Sequence, residues 1–132
     1  MARVLALDHG RARCGVAVSD PSGTLATPLA VIEKPDSGRG LDAIAALVRD
    51  QQVERIVVGL PTSLDGGESD QTRAARAFAG ALARRLGKRV AVELEDERFT
   101  TRMAQRDPAG ARGDEDSRAA AHLLEGWLAR GR

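Results

Sequence analysis

Val4-Leu-Ala-Leu-Asp8-His-Gly10-Arg-Ala-Arg13-Cys-Gly15-Val-Ala-Val-Ser-Asp20 is an apolar run ending on an acid, a glycine-containing turn, and a second apolar run. This pattern predicts a β-hairpin whose first strand is buried on both faces and carries a carboxylate. A lone carboxylate among apolar residues is costly to bury as an anion unless it is paired or holds a cation. Gly10 and Gly15 let other groups approach the backbone closely. Two roles for Asp8 are open at this level: an acid bonding its own turn, or one ligand of a cation site.

Working outward, Thr27–Glu33 reads as a third strand after the Asp20-Pro-Ser-Gly turn. Leu41, Ile44, Ala45, Leu47 and Val48 recur at helical spacing and predict a helix to about Gln51. Arg55–Leu60 is a short, nearly continuous apolar run of the kind found in central strands, stopped by Pro61. Beyond the polar stretch 62–69, Ala75, Phe78, Ala79, Leu82 and Leu86 mark a second helix that Gly87 ends. Arg89–Leu94 reads as a strand with acids crowding its end, and Phe99–Arg106 as a short helix stopped by Pro108. A glycine-bearing segment, Ala109–Gly113, then leads into a last helix over about Asp114–Ala129, with Ala119, Ala120, Leu123, Leu124 and Trp127 inward. Three meander strands followed by alternating strands and helices imply an α/β fold: a mixed five-stranded sheet with helices on both faces. Sites in such sheets form at strand ends where strand order reverses.

Composition narrows the function classes. The 132 residues suit one domain with its own core. No apolar run approaches a membrane span, and the start is not signal-like. One cysteine, Cys14, excludes an internal disulfide, fits a reducing cytoplasm and reads as a small apolar strand residue. A net charge of +1 gives no global pull towards nucleic acid. Yet Lys34 and Lys88 are the only lysines, so the cations are mostly arginines, whose planar fork matches phosphate. With no tyrosine, and only Phe78, Phe99 and Trp127 as aromatics, stacking of splayed bases on an aromatic platform is not expected.

Three carboxylates stand out: Asp8 at the first strand, Glu97 beyond the last strand, and Asp116 at the opening of the last helix. At about 100° per residue, Asp116 falls in line with Ala120, Leu123 and Trp127, while Asp114 lies nearly opposite. Capping or complementing the helix N-terminus is the plain alternative for Asp116, worth under about 2 kcal/mol. Acids converging from two strand ends and a helix make an oxygen-ligand site for Mg²⁺ or Mn²⁺, and such ions support phosphodiester hydrolysis. The histidines do not compete: His122 reads as a boundary residue, His9 could at most touch substrate, and no His/Cys cluster has zinc spacing.

Taken together, these residues resemble the YqgF/RuvX family of RNase H-like proteins, associated with pre-16S rRNA cleavage and earlier with Holliday junction resolution. The likeness lies in Leu7-Asp8-His-Gly10 with Arg13, Gly15-Val-Ala-Val-Ser-Asp20, and Val58-Gly-Leu-Pro61 with Asp65-Gly66. It continues in Asp96-Glu97-Arg98-Phe-Thr100-Thr101 and Asp116-Ser-Arg-Ala-Ala120 before Leu123-Leu124. The resemblance implies Asp8, Glu97 and Asp116 as catalytic, metal-binding acids. It implies Arg13, Arg98 and Thr101 as flanking residues that meet phosphate or hold the acids. The implied function is 5′-end processing of pre-16S rRNA, with structured RNA in ribosomal precursor particles as partner. The alternative is cleavage of branched DNA, which needs a homodimer presenting two sites. The chain departs from the family pattern at Ala12, where a lysine is usual, and at Gly113-Asp-Glu, where basic residues usually precede the final acid. Two further classes compete. A nucleotide phosphate site of the actin or sugar-kinase kind needs two such domains, and 132 residues supply one. A non-catalytic nucleic-acid-binding module is disfavoured by retention of all three acids.

Overall fold

The computed structural model describes residues 3–61, 69–96 and 112–130, with side chains from Glu115 onward in the last segment. Three antiparallel strands come first, β1 (Arg3–His9), β2 (Arg13–Ser19) and β3 (Ala26–Glu33). They are followed by α1 (Gly38–Asp50), β4 (Val53–Leu60), α2 (Asp70–Leu86), β5 (Ala91–Asp96) and α3 (Arg112–Ala129). The sheet order is β3-β2-β1-β4-β5, with β4 parallel to β1 and β5 parallel to β4. This is the mixed five-stranded sheet expected from the sequence. The C-terminal ends of β1, β4 and β5 therefore lie along one edge of the sheet.

Strand alternation sorts β1 between two cores. Leu5 and Leu7 pack with Ile44, Val48, Phe78 and Leu82 of α1 and α2, whereas Val4 and Ala6 pack with Ala120, Leu124 and Trp127 of α3. Residues Val4 to Leu7 are buried on both faces, as the apolar run required. Each fully buried Leu, Ile or Phe contributes about 1.5–3 kcal/mol. Both helices over the first face start on serine caps: Ser37 Oγ accepts the Gly40 N–H at 3.0 Å and Ser69 Oγ accepts the Thr72 N–H at 3.2 Å. The buried Thr72 hydroxyl also donates to the Pro61 carbonyl, tying the end of β4 to the start of α2. Gly87 ends α2 with φ +77°, a conformation that costs glycine nothing.

The structure moves several boundaries. A 3-10 turn occupies Gly87–Arg89, so β5 begins at Ala91 rather than Arg89. The last helix begins at Arg112, two residues before the expected start. Its inward stripe takes in Ser117, Ala121 and Leu128 as well as Ala120, Leu123, Leu124 and Trp127, while Ala119 is only half-buried. The expected loop over 62–69, apart from Ser69, and the short helix Phe99–Arg106 lie outside the described residues.

The far end of β1 supplies a first expected result. The Val4 N–H donates to the buried Ser19 Oγ at 2.9 Å. Ser19→Ala leaves that N–H buried without a partner and should destabilise the fold by about 1–3 kcal/mol. Urea melts check this, and a wild-type midpoint would show that the amide has another partner.

Candidate active site

Asp8 is the sixth of seven residues in β1 and shares the α3-facing register of Val4 and Ala6. Its partner across the hairpin is Gly15, and directly opposed Cα atoms of an antiparallel pair sit about 4.5–5.5 Å apart. Gly15 is where α3 touches down. A Cβ built there would stand 1.9 Å from the Asp116 carbonyl oxygen and 2.3 Å from its carbonyl carbon. Only a residue without a side chain admits that contact. The helix backbone at Asp116 therefore rests on the residue paired with Asp8.

The two carboxylates line one open cleft of about 420 Å³. It runs from Asp8 along the hairpin turn to Arg13 and across to Glu115 and Asp116. Asp116 is the fifth residue of α3, past the first turn whose free N–H groups a cap would serve, so the capping alternative does not apply. Its side chain keeps 34% exposure at the inward edge of the helix, with Arg13 Nε 3.8 Å from its Oδ2. At that distance the pair is an ion pair without a hydrogen bond. Both side chains are more than a third exposed, so solvent screening leaves it worth about 1 kcal/mol or less. Its effect is to hold a cation at the cleft rim. Three acids and two arginines, Arg11 and Arg13, thus share one opening. Among the described residues, no group of three or more His, Cys, Asp or Glu is arranged to hold a metal ion. Glu97, Arg98 and Thr101 lie outside the described residues.

Behind the hairpin, Cys14 is fully buried. Burial pushes its thiol well above the ordinary range, helped by the negative charges of Asp8, Asp36 and Asp116 around it. The thiol is a packing residue, as expected. His9 lines the cleft, but its side chain is only 3% exposed. Nε2 lies 3.1 and 3.2 Å from the two Asp36 carboxylate oxygens, and the ring stacks on Phe78 at 4.4 Å. The period-2 register of Leu5, Leu7 and His9 was the available signal for this burial; nothing near Asp36 announced the partner. His122 is a boundary residue, as expected, its Nδ1 3.3 Å from Glu125. Asp20 closes its own turn, accepting from Ser22, Leu25 and Thr24, and these bonds hold its carboxyl well below the usual range.

A family model for RuvX, described as Holliday junction resolvase, matches residues 2–130. The chain belongs to the RuvX family. A relative from Thermobifida fusca (strain YX), named "Putative pre-16S rRNA nuclease", is 54% identical over 102 residues. That match takes in 76% of this chain but only 62% of the relative's length. A protein of the same name from Anaeromyxobacter sp. (strain Fw109-5) is 44% identical over 133 aligned positions, covering 96% of each chain. Among solved structures, Thermus thermophilus RuvC in complex with a Holliday junction substrate superposes with a TM-score of 0.63 at 15% identity. It covers 99% of this chain and 97% of that one. Likeness at that identity speaks for the fold alone, which is RNase H-like. The RuvX match also spans both elements that the cleft joins, the first hairpin and the last helix.

Proposed function

We propose that this chain is a divalent-metal-dependent nuclease that trims the 5′ end of pre-16S rRNA. The observation that carries the reading is the meeting of Asp8 and Asp116 in one open cleft, from opposite ends of the sequence, with Arg13 at the rim. The names of the two relatives support the substrate. Glu97, which directly follows the last residue of β5, is the proposed third acid. Arg98 and Thr101 are proposed to meet phosphate or hold the acids. Carboxylate oxygens suit a hard cation, and an open cleft leaves room for water and phosphate. Asp8, Asp116 and Glu97 would hold Mg²⁺ or Mn²⁺, which supplies a water of lowered pKa and stabilises the leaving oxygen. Arg13 orients the phosphate with its planar fork while restraining Asp116. Gly15 sets the spacing of the two acids.

The description of the RuvX family model favours a second reading, cleavage of branched DNA by a dimer with two such clefts. Purified protein tested on pre-16S 5′-leader RNA and on a four-way DNA junction side by side separates the two. Cleavage is expected on the RNA with Mg²⁺ or Mn²⁺ and is expected to stop in EDTA. Equal cleavage in EDTA would sink the metal mechanism, and paired incisions confined to the junction would favour the second reading.

A further inference from the structure

The hairpin turn has two sides. One faces the cleft shared with α3. On the other lies a separate cleft of about 170 Å³, bounded by Asp8 to Arg11, by Pro61 at the end of β4, and by Gln71 and Ala74 of α2. Asp8 and Arg11 line both clefts, so the turn is a ridge between them. Its walls are fixed. Gly10 N–H donates to the Arg13 carbonyl at 2.9 Å, and Lys34 N–H donates to the Ala12 carbonyl at 2.9 Å. Across the cleft, the Thr72 hydroxyl pins Pro61 to the start of α2.

The lining is polar and one-sidedly cationic away from Asp8. Arg11 is exposed at the ridge and Gln71 offers an amide in the first turn of α2, beside His9, Gly10, Pro61 and Ala74. No Phe or Trp lines it, and the His9 ring is stacked on Phe78 with 3% of its side chain exposed. That is a poor platform for stacking bases. The volume corresponds to about five or six waters at about 30 Å³ each, room for a phosphodiester with part of its shell. An arginine fork and an amide N–H are donors suited to phosphate oxygens.

Resting on the nuclease reading, we propose that this second cleft holds the phosphodiester next to the one being cleaved. Arg11 is its cationic contact and Gln71 its hydrogen-bond donor. A strand crossing the ridge then places one phosphate on each side of Asp8, which sets the register of the cut.

The test measures Kd by fluorescence anisotropy, without added metal, for a labelled stem–loop RNA. A single uncharged methylphosphonate linkage is stepped along the strand, one position at a time. One such linkage should cost the wild-type protein about tenfold in Kd. The same linkage should cost Arg11→Ala less than about twofold, the signature of a coupled pair. Arg11→Ala should also lower the slope of log Kd against log salt by about 0.7, the value of one single-strand phosphate contact. Arg11→Lys should keep most of that slope. Wild-type affinity in Arg11→Ala, or the same loss for every linkage position, would overturn the cleft assignment. Cleavage of the unmodified RNA by wild-type protein with Mg²⁺ is read separately. Its absence alongside a retained linkage coupling would sink the nuclease reading while supporting a phosphate subsite.

Discussion

Asp8→Asn should lower cleavage by at least about 10³-fold, the order of effect seen when one preorganised electrostatic group is lost from a reacting centre. The same substitution should leave the metal-free melting temperature unchanged or higher. Asp8 shares its cleft with Asp116 and Glu115, and like charges in one opening repel. An amide of nearly the same size relieves that repulsion and deletes one ligand. Metal that binds the folded cleft and not the unfolded chain should stabilise the wild type by about 2.7 kcal/mol at a hundredfold excess over Kd. Asp8→Asn should shrink this shift. The competing role, an acid that only bonds its own turn, predicts a lower metal-free melting temperature and an undiminished Mn²⁺ shift. Thermal melts of both proteins with and without Mn²⁺ decide between them.

The second large effect is expected from a single methyl group. In Gly15→Ala the new Cβ would overlap backbone atoms of Asp116, not the tip of a side chain that could swing away. Either the start of α3 lifts off the sheet or the hairpin bends. Overpacking of this kind costs about 1–3 kcal/mol, and backbone against backbone belongs at the upper end. A loss of about 3 kcal/mol corresponds to a melting temperature lower by about 10 °C in a domain of this size. Activity should suffer more than stability. Moving Asp116 by about 1 Å relative to Asp8 should reduce cleavage by about 10²-fold, since reacting groups tolerate little displacement. Rates measured well below the variant's melting temperature keep the two effects apart. Wild-type melting together with wild-type cleavage would show that the helix does not depend on Gly15.

Much of this architecture is legible in local pattern. The buried run of Val4–Leu7, the second apolar run of Cys14–Ser19 and the helical spacing of Ala75, Phe78, Ala79 and Leu82 are each decided by neighbours within a few residues. Gly87 as the stop of α2 follows from the same local logic. The starts of α3 and β5 were shifted by two residues because element ends depend on caps and turns that the apolar period does not record. Asp116 could be placed on the inward edge of its helix from its angle to Ala120 and Leu123 alone.

What the sequence determined by itself was therefore the set of elements, the faces they bury and the acids worth watching. Which of those acids meet was a tertiary matter. Asp8 and Asp116 are separated by most of the chain. They share a cleft because α3 packs across β1, β2 and β3 and settles on Gly15. Sequence pattern could say that Gly15 permits close approach, but not that the Asp116 backbone is what approaches. His9 shows the same limit, since its register predicts a buried side while Asp36 and Phe78 arrive from two other elements. The second cleft exists only because the hairpin ridge faces the start of α2. The physical reason is one of range: periodicity acts over three or four residues and fixes a face, whereas the partner of that face is chosen by crossovers and close packing between distant segments.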